Sequence, residues 1–270
     1  TQNSITLKAR GGENTHFFSG SVMPDIANIN GVVFEGNTFT FTPLTEPLNT
    51  IILYWNSPVT TCQNFFANAV IVISIDLSNF DTSKVNTMEG MFYNCSNLKS
   101  INLDNLNTSS VFNMGDMFNG CVSLESLDVS KMNTSLVRSM KNMFKDCVSL
   151  KTLDLSSFNT SNLESVQGMF YNASSLVGLD LSSFNQTPIR VYNFMLDHCY
   201  SLFYVNIFPF KDCDAFYIYF RSELVKNITF CVDKEKAPNI VNNMKSKNIT
   251  NDCDNICFSK SSKKIPQKRS

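Results

Sequence analysis

Residues 91–116, MFYNCSNLKSINLDNLNTSSVFNMGD, are followed at once by residues 117–142, MFNGCVSLESLDVSKMNTSLVRSMKN, and the two align without a gap. The 26-residue step runs well beyond this pair. Cys95, Cys121 and Cys147 recur on it, Ala173 takes the next slot and Cys199 the one after. Phe66, Phe92, Phe118, Phe144 and Phe170 keep the same step with Leu196 in sixth place, preceded from the second coil onward by Met91, Met117, Met143, Met169 and Met195. Self-similarity at a fixed period of this length marks a unit that buries its apolar face only by stacking on its copies.

Each unit divides by its hydrophobic period. Leu98, Ile101 and Leu103 recur as Leu124/Leu127/Val129, Leu150/Leu153/Leu155, Leu176/Leu179/Leu181 and Leu202/Val205/Ile207, the pattern of a short leucine-rich-repeat strand. Val111, Met114, Met117 and Phe118 then fall at helical or 3₁₀ spacing behind the hydroxyl run Thr108-Ser109-Ser110, which can cap it. The reading predicts an α/β solenoid, a leucine-rich repeat whose 26-residue coils each pair a short parallel strand with a short helix. Six coils span 62–211. A β-rich N-terminal cap is expected over 1–61, a cysteine-containing, disulfide-stapled C-terminal cap over 212–258, and a disordered basic tail over 259–270. Within the first cap, Ile5-Thr-Leu7, Val32-Val-Phe34, Phe39-Thr-Phe41 and Ile51–Trp55 read as strands, with a hairpin turn at Gly36-Asn37. In the last, LVKNITFCV reads as a final strand and 234–247 as a short helix.

The stretches LDLSSFNTSNLESVQGMFYNASSL (153–176) and IDLSNFDTSKVNTMEGMFYNCSNL (75–98) resemble the BspA-like family of leucine-rich-repeat surface proteins, over roughly residues 62 to 211. That resemblance implies exposure on, or secretion from, bacterial or protist cells, and a role in adhesion for some members. Composition fits an extracellular setting. There is no run of 18 apolar residues and no charged-then-apolar leader at Thr1, so a signal was removed or none was present. Eight Asn-x-Ser/Thr acceptors, at Asn94, Asn107, Asn133, Asn159, Asn172, Asn185, Asn227 and Asn248, favour removal and are glycosylation candidates in a eukaryotic host. The Asn-Thr-Ser column is equally good turn chemistry.

Lys plus Arg is 22 against 23 for Asp plus Glu, which gives no support to a nucleic-acid partner. Five of the bases sit in the tail from Lys260 to Arg269, leaving 17 against 23, a net −6, for the body. The nine cysteines form two groups. The 26-spaced set is expected as buried free thiols. Cys213, Cys231, Cys253 and Cys257 are off the period and are the disulfide candidates. Cys253-x-x-x-Cys257 lacks the two further ligands of a zinc site, and no metal or cofactor motif is present.

Function is expected on the strand face, where alternate side chains point to solvent. One outward column reads Asp76, Asn102, Asp128, Asp154, Asp180, Asn206, and its neighbour ends in Tyr204 and the next in Phe208. Asp128, Asp154, Asp180, Asn206, Tyr204 and Phe208 are the candidate partner-binding residues. The aspartates serve either a side-chain hydrogen-bond ladder or a cationic partner or weak Ca²⁺ site; the aromatics are either contact anchors or core beneath the cap. Enzyme motifs are absent: His16 and His198 have no spaced partner, and no phosphate loop, H-E-x-x-H or G-x-S-x-G occurs. The sequence therefore points to a recognition or adhesion module for a protein or glycan, with a building block of a surface coat or filament as the second reading and a glycan-processing enzyme as a remote third.

Overall fold

The computed structural model describes residues 3–12, 16–36, 44–184, 189, 191, 193–207, 228–232, 234–235 and 248–250. The N-terminal strands are β1 (Asn3–Gly12), β2 (Ile26–Ile29), β3 (Val32–Glu35) and β4 (Leu44–Trp55), which join the first coil strands β5 (Val72–Asp76) and β6 (Ser100–Asn102) in a sheet of order β3-β2-β4-β1-β5-β6. β1 alternates, burying Ile5, Leu7 and Ala9 completely, and pairs antiparallel with β4 on one side and β5 on the other. One strand thus fastens the cap to the repeats. Trp55 seals the junction, stacked on Phe65 with centroids 5.8 Å apart and donating Nε1–H to the Val22 carbonyl at 3.1 Å. A hairpin turn joins β2 to β3 at Asn30-Gly31, both at positive φ (52° and 91°), the conformation a two-residue turn matched to strand twist requires, while Asn37 of the expected Gly36-Asn37 turn lies outside the described residues. Gly36 follows β3, and Phe39–Phe41 lie outside the described residues.

From Cys62 to Cys199 the backbone obeys one rule. Alternate amides donate to the carbonyl 25 residues ahead, in the next coil: Met88, Gly90, Phe92 and Asn94 bond Asn113, Gly115, Met117 and Asn119 at 2.6–3.0 Å, and Met114, Asp116, Phe118 and Gly120 bond Ser139, Lys141, Met143 and Lys145 at 2.7–3.0 Å. Parallel bridges Thr87–Asn113–Ser139–Ser165–Val191 run along the same face. This rule overturns the expected helices. An amide that bonds the next coil cannot bond the carbonyl four residues back, and left-handed residues such as Asp116 (φ 56°) and Gly120 (φ 77°) break each run of right-handed backbone. The segments close as successive three-residue turns instead, Val111 to Thr108 and Cys121 to Phe118 among them. Among the described residues there is no α-helix; a 3₁₀ turn lies at Ser182–Phe184.

The expected continuous strand ladder is also absent. Ser126–Asp128 and Thr152–Asp154 form no strand, and the column thins to single bonds such as Lys151 to Glu125 and Val177 to Lys151, both 3.2 Å. Strands resume as β7 (Gly178–Asp180), β8 (Tyr204–Asn206), β9 (Thr229–Cys231) and β10 (Asn248–Thr250), a separate parallel sheet of order β10-β9-β8-β7. The structure is therefore a sheet-rich mixed fold, two sheets with turn-built coils between them, and the helix-bearing leucine-rich-repeat solenoid is withdrawn. The disulfide staple expected for the cap is not seen among the described residues. No disulfide joins two described cysteines: Cys62, Cys95, Cys121, Cys147 and Cys199 are free, Cys231 is disulfide-bonded, and Cys213, Cys253 and Cys257 lie outside the described residues. The helix expected over 234–247 also falls there, apart from Lys234 and Glu235 in a turn.

Three side-chain columns fill the coils. Phe66, Phe92, Phe118, Phe144 and Phe170 stack with centroids 5.3–5.8 Å apart and planes within 17° of parallel. Cys95, Cys121, Cys147 and Cys199 donate S–H to the carbonyls of Phe66, Phe92, Phe118 and Phe170 one coil back, at 3.0–3.2 Å. Thr82, Thr108 and Thr134, all buried, donate Oγ1–H to the carbonyls of Asn107, Asn133 and Asn159 and accept the amides of those same residues. Each hydroxyl closes a two-bond clamp between coils. Burial raises every thiol of the column, Cys95, Cys147 and Cys199 to about 12.

Phe144→Ala should cost about 3–5 kcal/mol in urea unfolding, because it opens a gap between two stacked rings. The thiols give a pH prediction. Folded, they hold their protons above the ordinary value of 9.0, so their contribution to stability is complete below pH 9 and is lost as pH climbs toward 12. The thermal midpoint should fall from pH 9 upward, and Cys121→Ala should flatten that fall, since Ala173 already fills the same slot.

Candidate functional site

The aspartate column is committed to its own turns. Oδ1 of Asp76, Asn102, Asp128, Asp154 and Asp180 accepts the amide two residues on, from Ser78, Asp104, Ser130, Ser156 and Ser182, at 2.8–3.1 Å. A short acid or amide side chain does this by reproducing a backbone turn. Asp128 and Asp154 are exposed, Asp180 is half-buried, and Asn206 is buried. Tyr204 is fully buried in β8, between β7 and β9. Phe208 lies outside the described residues. The structure therefore does not gather the six sequence-named residues into one surface.

The acceptor asparagines separate in the same way. Asn107, Asn133 and Asn159 are exposed and each accepts the amide of the serine two residues on at 3.0 Å. Asn94 and Asn172 sit in left-handed turns, with Nδ2 donating to Asn68 Oδ1 (2.9 Å) and Asp146 Oδ1 (2.8 Å) one coil back. Asn248 lies in β10, and Asn185 and Asn227 lie outside the described residues.

Exposed apolar side chains appear instead beside the hydrogen-bonded ladder. Asn86, Phe112, Arg138 and Glu164 form an outward row on successive coils, its spacing fixed by amide bonds of Phe112 to Asn86, Arg138 to Phe112 and Glu164 to Arg138 at 2.8–3.0 Å. Phe112 is 47% exposed and nearby Leu136 is 51% exposed.

The last coil departs further. Two left-handed columns run through the stack: Asn64, Gly90, Asp116, Asn142, Gly168, Phe194, and Asn68, Asn94, Gly120, Asp146, Asn172, His198. The first five members of each are the residue types that tolerate positive φ. Phe194 (φ 58°) is not, and a side chain forced there costs about 1–2 kcal/mol, whereas His198 (φ 64°) is of a type that enters this region more readily. Phe194 stays 48% exposed, so core burial does not offset the strain. Four residues on, His198 lies 4.9 Å from Tyr171 and 5.7 Å edge-on from Tyr200, itself 50% exposed. Lys145 Nζ sits 5.4 Å over Tyr171 and 3.9 Å from Asp146. His198 Nδ1 is shielded from solvent with no hydrogen-bond partner. Sequence reading places His198 in a slot of Asn, Gly and Asp; that the slot demands positive φ, and that Phe194 breaks the twin column, shows only in the backbone.

The family described as "Mycoplasma protein of unknown function, DUF285" matches residues 37–103 and 94–205, more than half of the sequence. The chain belongs to that family. The description assigns no activity, and no curated protein matches the chain. Among the described residues, no helix is long and apolar enough to cross a membrane, and no group of three or more His, Cys, Asp or Glu is placed to hold a metal.

The turn role of the aspartates is testable in one column. Asp154→Ala should cost about 1 kcal/mol in urea unfolding by freeing the Ser156 amide, while Asp154→Asn should be nearly neutral, as Asn102 makes the same bond naturally.

Proposed function

We propose that this chain is a recognition or adhesion module acting at the cell surface or outside the cell, binding a protein or glycan partner through side chains displayed on its coils. The supporting observation is the row Asn86, Phe112, Arg138, Glu164 with Leu136 beside it: aromatic, aliphatic and charged groups held at fixed spacing on a rigid backbone. Aromatic and arginine side chains supply most of the affinity where such surfaces bind partners. In the strand face named from sequence, one carboxylate oxygen of each aspartate is occupied, which leaves it the weaker contact. The BspA-like resemblance of residues 62 to 211 agrees with this placement outside the cell. Phe112→Ala with Arg138→Ala should weaken adherence to cells or matrix-coated plates about 30-fold or more, with the thermal midpoint nearly unchanged because both are exposed. Adherence unaltered by that pair but lost with Asp128→Asn and Asp154→Asn would return the contact to the strand face.

A second reading, self-assembly into a coat or filament, is favoured by one observation. Among the described residues β3 is the edge of its sheet, and it exposes Val32 at 58% and Val33 at 59%. Apolar edge strands recruit further strands. Light scattering on the purified chain decides between them: a monomer whose state is indifferent to Val33→Lys supports the recognition module, and oligomers dissolved by Val33→Lys support the building block.

A further inference from the structure

We infer that the aromatic cluster of the last coil, His198 and Tyr200 with Tyr171, in the turn that Phe194 opens, is a binding site for a neutral saccharide; this rests on the recognition reading above and names the ligand class and place. The first ground is cost without structural return. Five coils occupy the two left-handed columns with Asn, Asp or Gly, and only the last installs Phe194 and His198 there. Strain of this kind persists where it serves a site, and a ring added for packing would be buried, whereas Phe194 and Tyr200 are about half exposed.

The second ground is the chemistry around the rings. Three rings in successive contact, at 49° and 81° to each other, make an angled apolar surface. Beside it stand the Lys145–Asp146 pair and the Asn172 amide bonded to Asp146 Oδ1. A ligand must therefore be apolar on one side and rich in hydroxyls on the other, which is the constitution of a pyranose ring. Lys145 over Tyr171 already satisfies the cation-binding face of that ring, so a quaternary ammonium is disfavoured. A wholly apolar peptide would leave the polar groups desolvated without partners. With Lys145 and Asp146 cancelling, nothing selects a charged sugar.

The experiment uses the full chain with cellobiose, lactose, maltose and chitobiose in saturation-transfer NMR, and sialyllactose as the anionic comparison. Transfer to at least one neutral disaccharide is expected, reduced tenfold or more by Tyr200→Ala. The double variant Phe194→Asn, His198→Asn should lose the transfer and yet melt about 2–4 °C higher, since the strain is relieved. The proposal is overturned if no neutral disaccharide binds, if only sialyllactose binds, if both variants still bind, or if the double variant melts lower, which would make the rings part of the packing. Adherence that persists in the double variant with no saccharide transfer in any form removes this site and leaves the recognition module standing; a wild-type chain that neither adheres nor takes up saturation removes both.

Discussion

An amide that reaches 25 residues forward, rather than four back, is the constraint on which the rest depends. Once Met114, Asp116, Phe118 and Gly120 donate to the following coil, those residues have no donor left for a helix, and the chain must turn back on itself every few residues. The left-handed residues are the means. The same bonds hold equivalent atoms of successive coils in line, so any side chain chosen once per 26 residues meets its own copy.

That alignment explains why the interior is built of columns. Flat rings stack when their planes coincide, and Phe118 and Phe144 lie within 2° of parallel. A buried threonine satisfies both an amide and a carbonyl of its neighbour because both recur at a fixed offset. A thiol finds a carbonyl for the same reason, and burial keeps it protonated. The aspartates of the opposite face follow another logic, each closing a turn within its own coil. Their regular appearance in sequence reflects repeated turn chemistry and carries no direct message about a ligand.

Period, columns and burial were legible in the sequence, because apolar identity at Phe92 or Cys121 is decided by stacking alone. Helices were not, because Val111, Met114, Met117 and Phe118 have helical spacing whether their amides bond inside or outside the coil. Periodicity reports which side chains face the core; it says nothing of where the amides go. The strand face misled for a related reason: Ser126–Asp128 alternates as a strand should, but lies where few bonds cross between coils. The Asn30-Gly31 turn was readable as an Asn-Gly pair but went unread because Ile26–Ile29 was not recognised as a strand. Phe194 is the hardest case, since an aromatic side chain in a loop looks ordinary until its φ is known.

The offset of 25 in every forward bond from Cys62 to Asn172 has one more consequence, for the length of the protein itself. Each junction repeats the geometry of the one before it, so Asp116 meets Lys141 as Asn142 meets Gln167. Excising residues 117–142 as a block would set Met91–Asp116 against Met143 onward with every column intact, and copying the block would do the same. Chain length can therefore grow or shrink by whole coils through unequal exchange between repeats, without any compensating substitution in the sheets at either end. The distance between those two ends is the quantity such exchange would tune.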